Sequence, residues 1–437
     1  MFQSFINVFK IKELRRRILF VFLMLIVVRL GSGIPVAGVD PDVFKNLFSA
    51  AGDSMSFFDA ITGGSFEKMS VFALSITPYI TASIIMQLLT IAIPKLEEMQ
   101  REGEQGRKKI TEITRYVTVG LSLFESGAMA IGFGRSGYLT EFNALYVILV
   151  MTVLTGGSTV LMWIGEQITE HGIGNGISIV LIINIISRIP SDLTSLYEQF
   201  IAGKIVAKAI LSAIIILVVI IGTVVLVVYL QNAERKIPVQ YSRKMQGRKQ
   251  VGGNSTFIPL KVNTAGVIPV IFAQSLMQTP VIIVSLVKGQ NGVEGFWGEV
   301  LKVLSQSNWF KTDQFWYTIG AVIYILLIIA FAYFYTSITF NPLEIANNMK
   351  KQGGSIPGIR PGKPTSDYLQ SVLNNIIFIG AIGLSIVAII PIVFNGLFGA
   401  NVSFGGTSII IVVGVVIETL KQVESHMMVR NYKGFLD

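Results

Sequence analysis

The sequence has no cysteine, two histidines and little charge. Without thiols it can form no disulfide and offers a metal no thiolate. His171 and His426 stand far apart in the chain, which argues against a zinc site. Asp, Glu, Lys and Arg make up 14% of the 437 residues, against roughly 25% in a soluble globular domain. Apolar residues fill the deficit: 52% are hydrophobic, 28 are Phe, and the mean hydropathy is +0.64. Such a chain is expected to be a string of membrane spans rather than several soluble domains. No constellation of acid, base and nucleophile stands out, so no enzyme activity, cofactor or metal is expected.

A bilayer crossing needs about 20 apolar residues as helix, and ten runs qualify. One follows the N-terminus and one covers 69–94. The others lie near 116–134, 143–164, 175–189, 209–230, 265–287, 316–339, 369–390 and 405–419. The basic stretch 1–17 interleaves Phe5, Val8, Phe9 and Ile11 with Lys10, Lys12 and Arg15 to Arg17, as in a surface-lying amphipathic helix. The run after it shows no convincing small-x-small cleavage site and is expected to be a retained span. Arg29 falls late in that run, where snorkelling to the interface accounts for it. The run 175–189 is short and follows Gly172, Gly174 and Gly176.

One apolar piece is too short to cross. Residues 57–66 are about half the needed length and contain Gly63 and Gly64. Two readings fit them: a re-entrant element buried in protein or lining a cavity, or a loop before an ordinary packed helix. Charge placement bears on the choice. With the half-segment not crossing, 25 of the 35 Lys and Arg fall on one side and nine on the other. The basic side is expected to be cytoplasmic, with both termini on it. A full crossing at 57–66 would send three of the most basic loops outside.

Ten spans divide into two sets of five, and because five is odd a repeat of one set in the other is inverted. The second span carries Pro78, Ile80, Ala82, Met86 and Gln87; the seventh carries Pro269, Ile271, Ala273, Met277 and Gln278 at the same spacing. Few ionisable groups lie in the spans, chiefly Arg29, Glu125 and Glu418, where ion-coupled carriers would place theirs. The basic loops 231–262 and 340–368 are long and rich in Gly and Pro turns. Their length and charge fit a solvated face or the docking of a large RNA-containing or acidic partner.

Four motifs carry a resemblance. GEQITEHGIGNGISI (165–179), NPLEIANNMKKQGGSIPGIRPG (341–362), TPYITASIIMQLL (77–89) and FGGTSIIIVVGVV (404–416) are similar to the bacterial SecY family of preprotein translocase channels. The likeness runs through essentially the whole chain. It implies an all-α polytopic membrane protein of ten transmembrane helices in two inverted five-helix halves, with a re-entrant plug. The halves would be 1–190 and 209–437, joined by a hinge loop at 191–208. It implies a plug at about 57–68, including Phe57, Phe58, Ile61, Gly63, Gly64 and Phe66, and a pore ring of Ile76, Ile80, Ile177, Leu181, Ile271 and Ile411. Leu181 stands where the family often has isoleucine, a change of little consequence for size or polarity.

The second and seventh spans would form a lateral gate bearing Thr81, Gln87, Gln278 and Thr279, with Glu125 of the third span near Thr81 and Thr279. Arg107, Arg248, Lys249 and Arg360 would serve docking. Implied partners are SecE, SecG, the SecA motor, the ribosome and membrane lipid, with unfolded preprotein and its signal sequence as cargo and no sequence-specific nucleic acid. The implied location is the bacterial plasma membrane. A small-solute transporter also uses inverted repeats and broken helices, but it needs a polar midplane site. A structural scaffold leaves the half-segment without a purpose.

Overall fold

The computed structural model describes residues 11–39, 59, 62–135, 137, 139, 141–202, 206–241, 244–246, 249–251, 255–288, 295–398 and 406–433. A helix stands at each expected span: α1 (Lys12–Gly31), α2 (Thr77–Ala92), α4 (Glu104–Arg135), α5 (Ala144–His171), α6 (Gly176–Phe200), α7 (Val206–Asn232), α8 (Ile268–Lys288), α10 (Ile319–Thr339), α12 (Lys363–Phe398) and α13 (Gly406–Lys433). Between them lie the short helices α3 (Pro94–Arg101), α9 (Phe296–Leu304) and α11 (Pro342–Lys351). Among the described residues six helices are long and apolar enough to cross a membrane, and the bent α2–α3 pair, taken as one span, makes a seventh.

The expected repeat has a counterpart in the packing. In the first half α2 packs on α4, α4 on α5 and α5 on α6, while α1 touches α5 and α6. The second half follows the same order: α8 on α10, α10 on α12 and α12 on α13, with α7 against α12 and α13. The halves meet where α6 lies on α13 and α7, and where α4 meets α8.

Several boundaries differ from the sequence reading, each for a local reason. The residues Arg15 to Arg17 lie within α1, so the described part of the basic N-terminus is the start of the span itself. The run 69–94 becomes helical only at Thr77, because Met69 and Ser75 adopt positive φ and Pro78 sits in the first turn. It ends in a 105° bend. There Ile93 is extended (φ −111, ψ 110), as the residue before a proline prefers to be. The charged stretch 95–115, which lies between two of the expected spans, is α3 and the first turns of α4.

The fifth span also outruns its expected end. It passes through Pro190 to Phe200, so the first part of the expected 191–208 hinge is helix. An internal proline costs roughly 3 kcal/mol. Here the buried face continues across it, from Ile185 to Asp192 and Leu196, and tertiary burial outweighs the break.

The two basic loops are a folded layer rather than turns alone. Strand β1 (Glu234–Tyr241) pairs antiparallel with β4 (Ser255–Lys261) and with the short β5 (Gly354–Ser355). Two shorter strands, β2 (Lys244–Gln246) and β3 (Lys249–Val251), pair antiparallel in a sheet of their own. Ile237 and Val239 are buried on alternate positions of β1, as a half-buried strand requires. They join Leu260, Met349, Ile356, Leu369 and Ile376 in one small core. This seats the layer on α11 and the start of α12.

Candidate functional site

The site is organised along α6. Its start is fixed by Asn175, whose side chain caps the helix by accepting from the amides of Ile177 (3.1 Å) and Ser178 (3.4 Å). Gly174 turns the chain at φ +88. Gly176 lies so close to the Gly165 carbonyl that a Cβ would overlap it. The glycine-rich string thus lets α6 start hard against α5.

One turn on, the six residues assigned to a ring come together in a single apolar cluster. Ile76, Leu181 and Ile411 are its buried members, at 0%, 6% and 3% exposure. Ile80, Ile177 and Ile271 are half-buried against them. These six come from the residue preceding α2 and from α2, α6, α8 and α13, so both halves contribute. On the β-layer side of this waist lies a cavity of about 490 Å³. Ile80, Ser83, Ile84 and Gln87 of α2 line it across from Ile268 and Ile271 of α8. Its polar rim includes Arg115, whose Nε donates to Glu166 at 2.7 Å.

The half-segment occupies the other side. Residues 62–76 are mostly turns up to the start of α2, folded back so that the Val36 amide donates to the Met69 carbonyl and the Val71 amide to the Ile34 carbonyl. Phe66, Met69, Ala73 and Leu74 bury into the core formed with α4 and α5. Gly157 of α5 approaches the Val71 carbonyl so closely that any Cβ would collide with it.

At rises of 1.5 Å per residue, Arg188 sits about 10 Å along α6 from Leu181. Its guanidinium pairs with the fully buried Asp59 and, at 2.8 Å, with Glu67. Asp59 also accepts from the Glu67 amide at 2.8 Å. Gly63 (φ +68) lies against the backbone of Asn184. The Gly63 carbonyl accepts from Arg29 of α1 and from Ser187, both at 3.3 Å. Asn184 in turn donates to Ser75 at 3.3 Å. A single helix therefore carries the cavity rim, the apolar waist and a set of bonds that hold the half-segment in place.

The other assigned residues divide. Of the plug set, Gly63, Gly64 and Phe66 are buried, while Phe57, Phe58 and Ile61 lie outside the described residues. On the gate, Gln278 is buried and Gln87 exposed. The Thr81 hydroxyl donates to the Thr77 carbonyl of its own helix at 3.1 Å, a bond that threonines in helices readily make. Glu125 is half-buried on α4, and the side chain of Thr279 lies outside the described residues. Arg107 is exposed at the start of α4. Arg360 is exposed on a turn whose carbonyl accepts from Thr365 at 2.8 Å. Lys249 lies on β3, its side chain outside the described residues, as is all of Arg248.

Sequence reasoning missed the Arg188 pairings and misread Arg29, which reaches the half-segment instead of snorkelling. A signal was present: Asp59 is the one charge inside the half-segment.

Comparison with known proteins decides the family. The SecY family model matches residues 70–420. The chain belongs to the SecY family. Its curated relatives include the protein translocase subunit SecY of Streptomyces coelicolor, 43% identical over the full length of both chains. Among solved structures, a protein-conducting channel superposes with a TM-score of 0.63 at 18% identity, over 96% of each chain. Sec61 from a canine ribosome–channel complex of the endoplasmic reticulum superposes at 0.58 and 17%, again over 96% of each. At those identities the superpositions show the fold, which is that of the SecY-family channels. The chain is a multi-pass membrane protein.

Proposed function

We propose that this SecY-family chain is the protein-conducting subunit of a bacterial plasma-membrane translocase. It passes unfolded preproteins through the waist and releases apolar segments sideways into lipid. One observation supports the reading: six aliphatic side chains from both halves belong to one apolar cluster, with a cavity on one side and a pinned, turn-rich segment on the other. A narrow apolar constriction excludes water and ions by dewetting, yet its flexible side chains can part around a polypeptide. The half-segment, as a plug at about 57–68, closes the waist from the outer side. Two five-helix halves hinging near the end of α6 would widen the waist. Parting of α2 from α8 would open the cavity to lipid.

The repeated helix pairings support the two-half reading, and the folded basic layer supports a cytoplasmic docking face. On that face Arg107, Arg248, Lys249 and Arg360 meet the SecA motor or the ribosome, and both termini lie on the same side. SecE and SecG are the companion subunits. No catalytic step belongs to this chain; energy comes from the docked partner.

The test is electrical. Ile80→Ser with Ile271→Ser puts two hydroxyls at the waist, and reconstituted membranes should leak ions at rest. Conductance at background with both changes would mean that these residues pack without sealing a pore.

A further inference from the structure

The end of the bundle away from the β layer carries four large aromatics left exposed among the described residues. Phe296 and Trp297 open α9, at 77% and 68% exposure, with their rings in edge contact at 5.9 Å. Phe315 and Trp316, at 68% and 75%, lie on the 3-10 turn that leads into α10. The two elements pack on each other. Tyr317 donates to Glu299 at 2.7 Å, and Glu299 pairs with Lys302 at 2.9 Å. That link gathers the charges of α9 into one small network. The Tyr317 bond and the Lys302 pairing hold the Glu299 carboxylate below its usual range, so it stays ionised and hydrated.

What covers the aromatics follows from the helix they lead into. Below Trp316 the exposed residues of α10 continue as Ile319, Val322, Ile323 and Leu326, at the spacing of one helical face. This face belongs to a membrane-crossing helix and looks outward into acyl chains. The aromatic patch is its direct continuation at the helix end, where apolar surface meets a charged network. Aromatic side chains at that depth bury their ring bodies while their polar edges and neighbours stay wet. A short amphipathic helix lying in the boundary does the same.

We propose that α9 and the turn at 315–316 form an interfacial anchor in the lipid leaflet opposite the basic layer. Phe296, Trp297, Phe315 and Trp316 are sunk at the headgroup–acyl boundary, and the Glu299–Lys302–Tyr317 network faces water. The buried tryptophan of the same loop shows the contrast. Trp309 is fully buried and donates to the Val303 carbonyl at 2.7 Å, so it fixes the loop from inside. Because α9 also packs on α8 and α10, the anchor sets the depth of both helices in the bilayer.

The chain has four tryptophans, which makes the test direct. The full chain is reconstituted into phosphatidylcholine–phosphatidylglycerol vesicles whose acyl chains carry bromine, a contact quencher of indole. One protein carries Trp163→Phe and keeps Trp297, Trp309 and Trp316. A second adds Trp297→Phe and Trp316→Phe and keeps Trp309 alone. Bromolipid should remove most of the emission of the first protein and little of the second. Bromine near the headgroup end should quench more than bromine near the methyl end. Quenching by aqueous iodide with none by bromolipid would overturn the proposal in favour of a wet surface. Emission insensitive to both, but dependent on protein density, would overturn it in favour of a second copy of the chain. Stronger quenching by the deeper bromine would also contradict it. The readout is lipid proximity, so it stands apart from whether the protein conducts polypeptides.

Discussion

Arg188→Gln tests the bonds that hold the half-segment. The guanidinium bridges Asp59, at 0% side-chain exposure, and Glu67, at 30%. Removing it leaves a buried carboxylate without its cation, which in a protein interior costs about 3–5 kcal/mol. The Glu67 arm is more exposed and adds at most ~1 kcal/mol. Asp59 keeps its bond from the Glu67 amide, which places the expected loss at the lower end, about 3 kcal/mol. At 1.4 kcal/mol per tenfold, the ratio of seated to displaced half-segment should fall roughly a hundredfold.

Ser65 reports that ratio. It is 1% exposed and its hydroxyl has no hydrogen-bond partner among the described residues, so Ser65→Cys disturbs little. No native cysteine competes with it. A membrane-impermeant maleimide can label it only when the segment moves out, and the labelling rate tracks that population. In the Arg188→Gln background labelling should accelerate by about two orders of magnitude. Adding Asp59→Asn removes the stranded charge and should recover much of the protection. Unchanged labelling in the single variant, or no recovery in the double, would refute the latch.

Two further outcomes are expected. Arg360→Glu reverses the charge on an exposed turn of the basic layer and removes the planar bidentate donor that a lysine cannot replace. Translocation in reconstituted vesicles should be lost while the protein remains inserted; transport at the parental rate would refute the docking role. Gly157→Ala places a methyl into the Val71 carbonyl and should cost about 1–3 kcal/mol. The readout is a lower unfolding temperature in detergent; an unchanged transition would mean that the turns leading into α2 do not rest on α5.

The positions of the membrane helices were legible because each needs an uninterrupted apolar run, and such runs are hard to hide in a chain this poor in charge. The half-segment was legible from its length and from Gly63 and Gly64. The ring was not readable from composition or spacing, since an isoleucine facing a pore and one facing lipid look alike. Those residues came from family resemblance, and the structure brings all six to one cluster. Other features depended on distant partners. Arg188 meets Glu67 across 121 residues, and no local pattern announces such a pair. The passage of α6 through Pro190 reflects burial of Asp192 and Leu196, which outweighs a strong local stop. The β layer did leave a trace, the alternation of Ile237 and Val239 with exposed neighbours. It was short, and lay among the glycines and prolines that mark turns.

The central claim is that a polypeptide passes through the waist, and cross-linking a stalled cargo tests it most directly. A preprotein with one cysteine, fused to a tightly folded domain that halts it midway, is presented to reconstituted protein carrying Leu181→Cys or Ile411→Cys. Both positions lie in the apolar cluster. Leu326→Cys, 61% exposed on the outward face of α10, serves as the control. The account predicts a disulfide to either waist position that requires the stalled chain, and none to Leu326→Cys. Cross-linking at Leu326→Cys with none at the waist would contradict it.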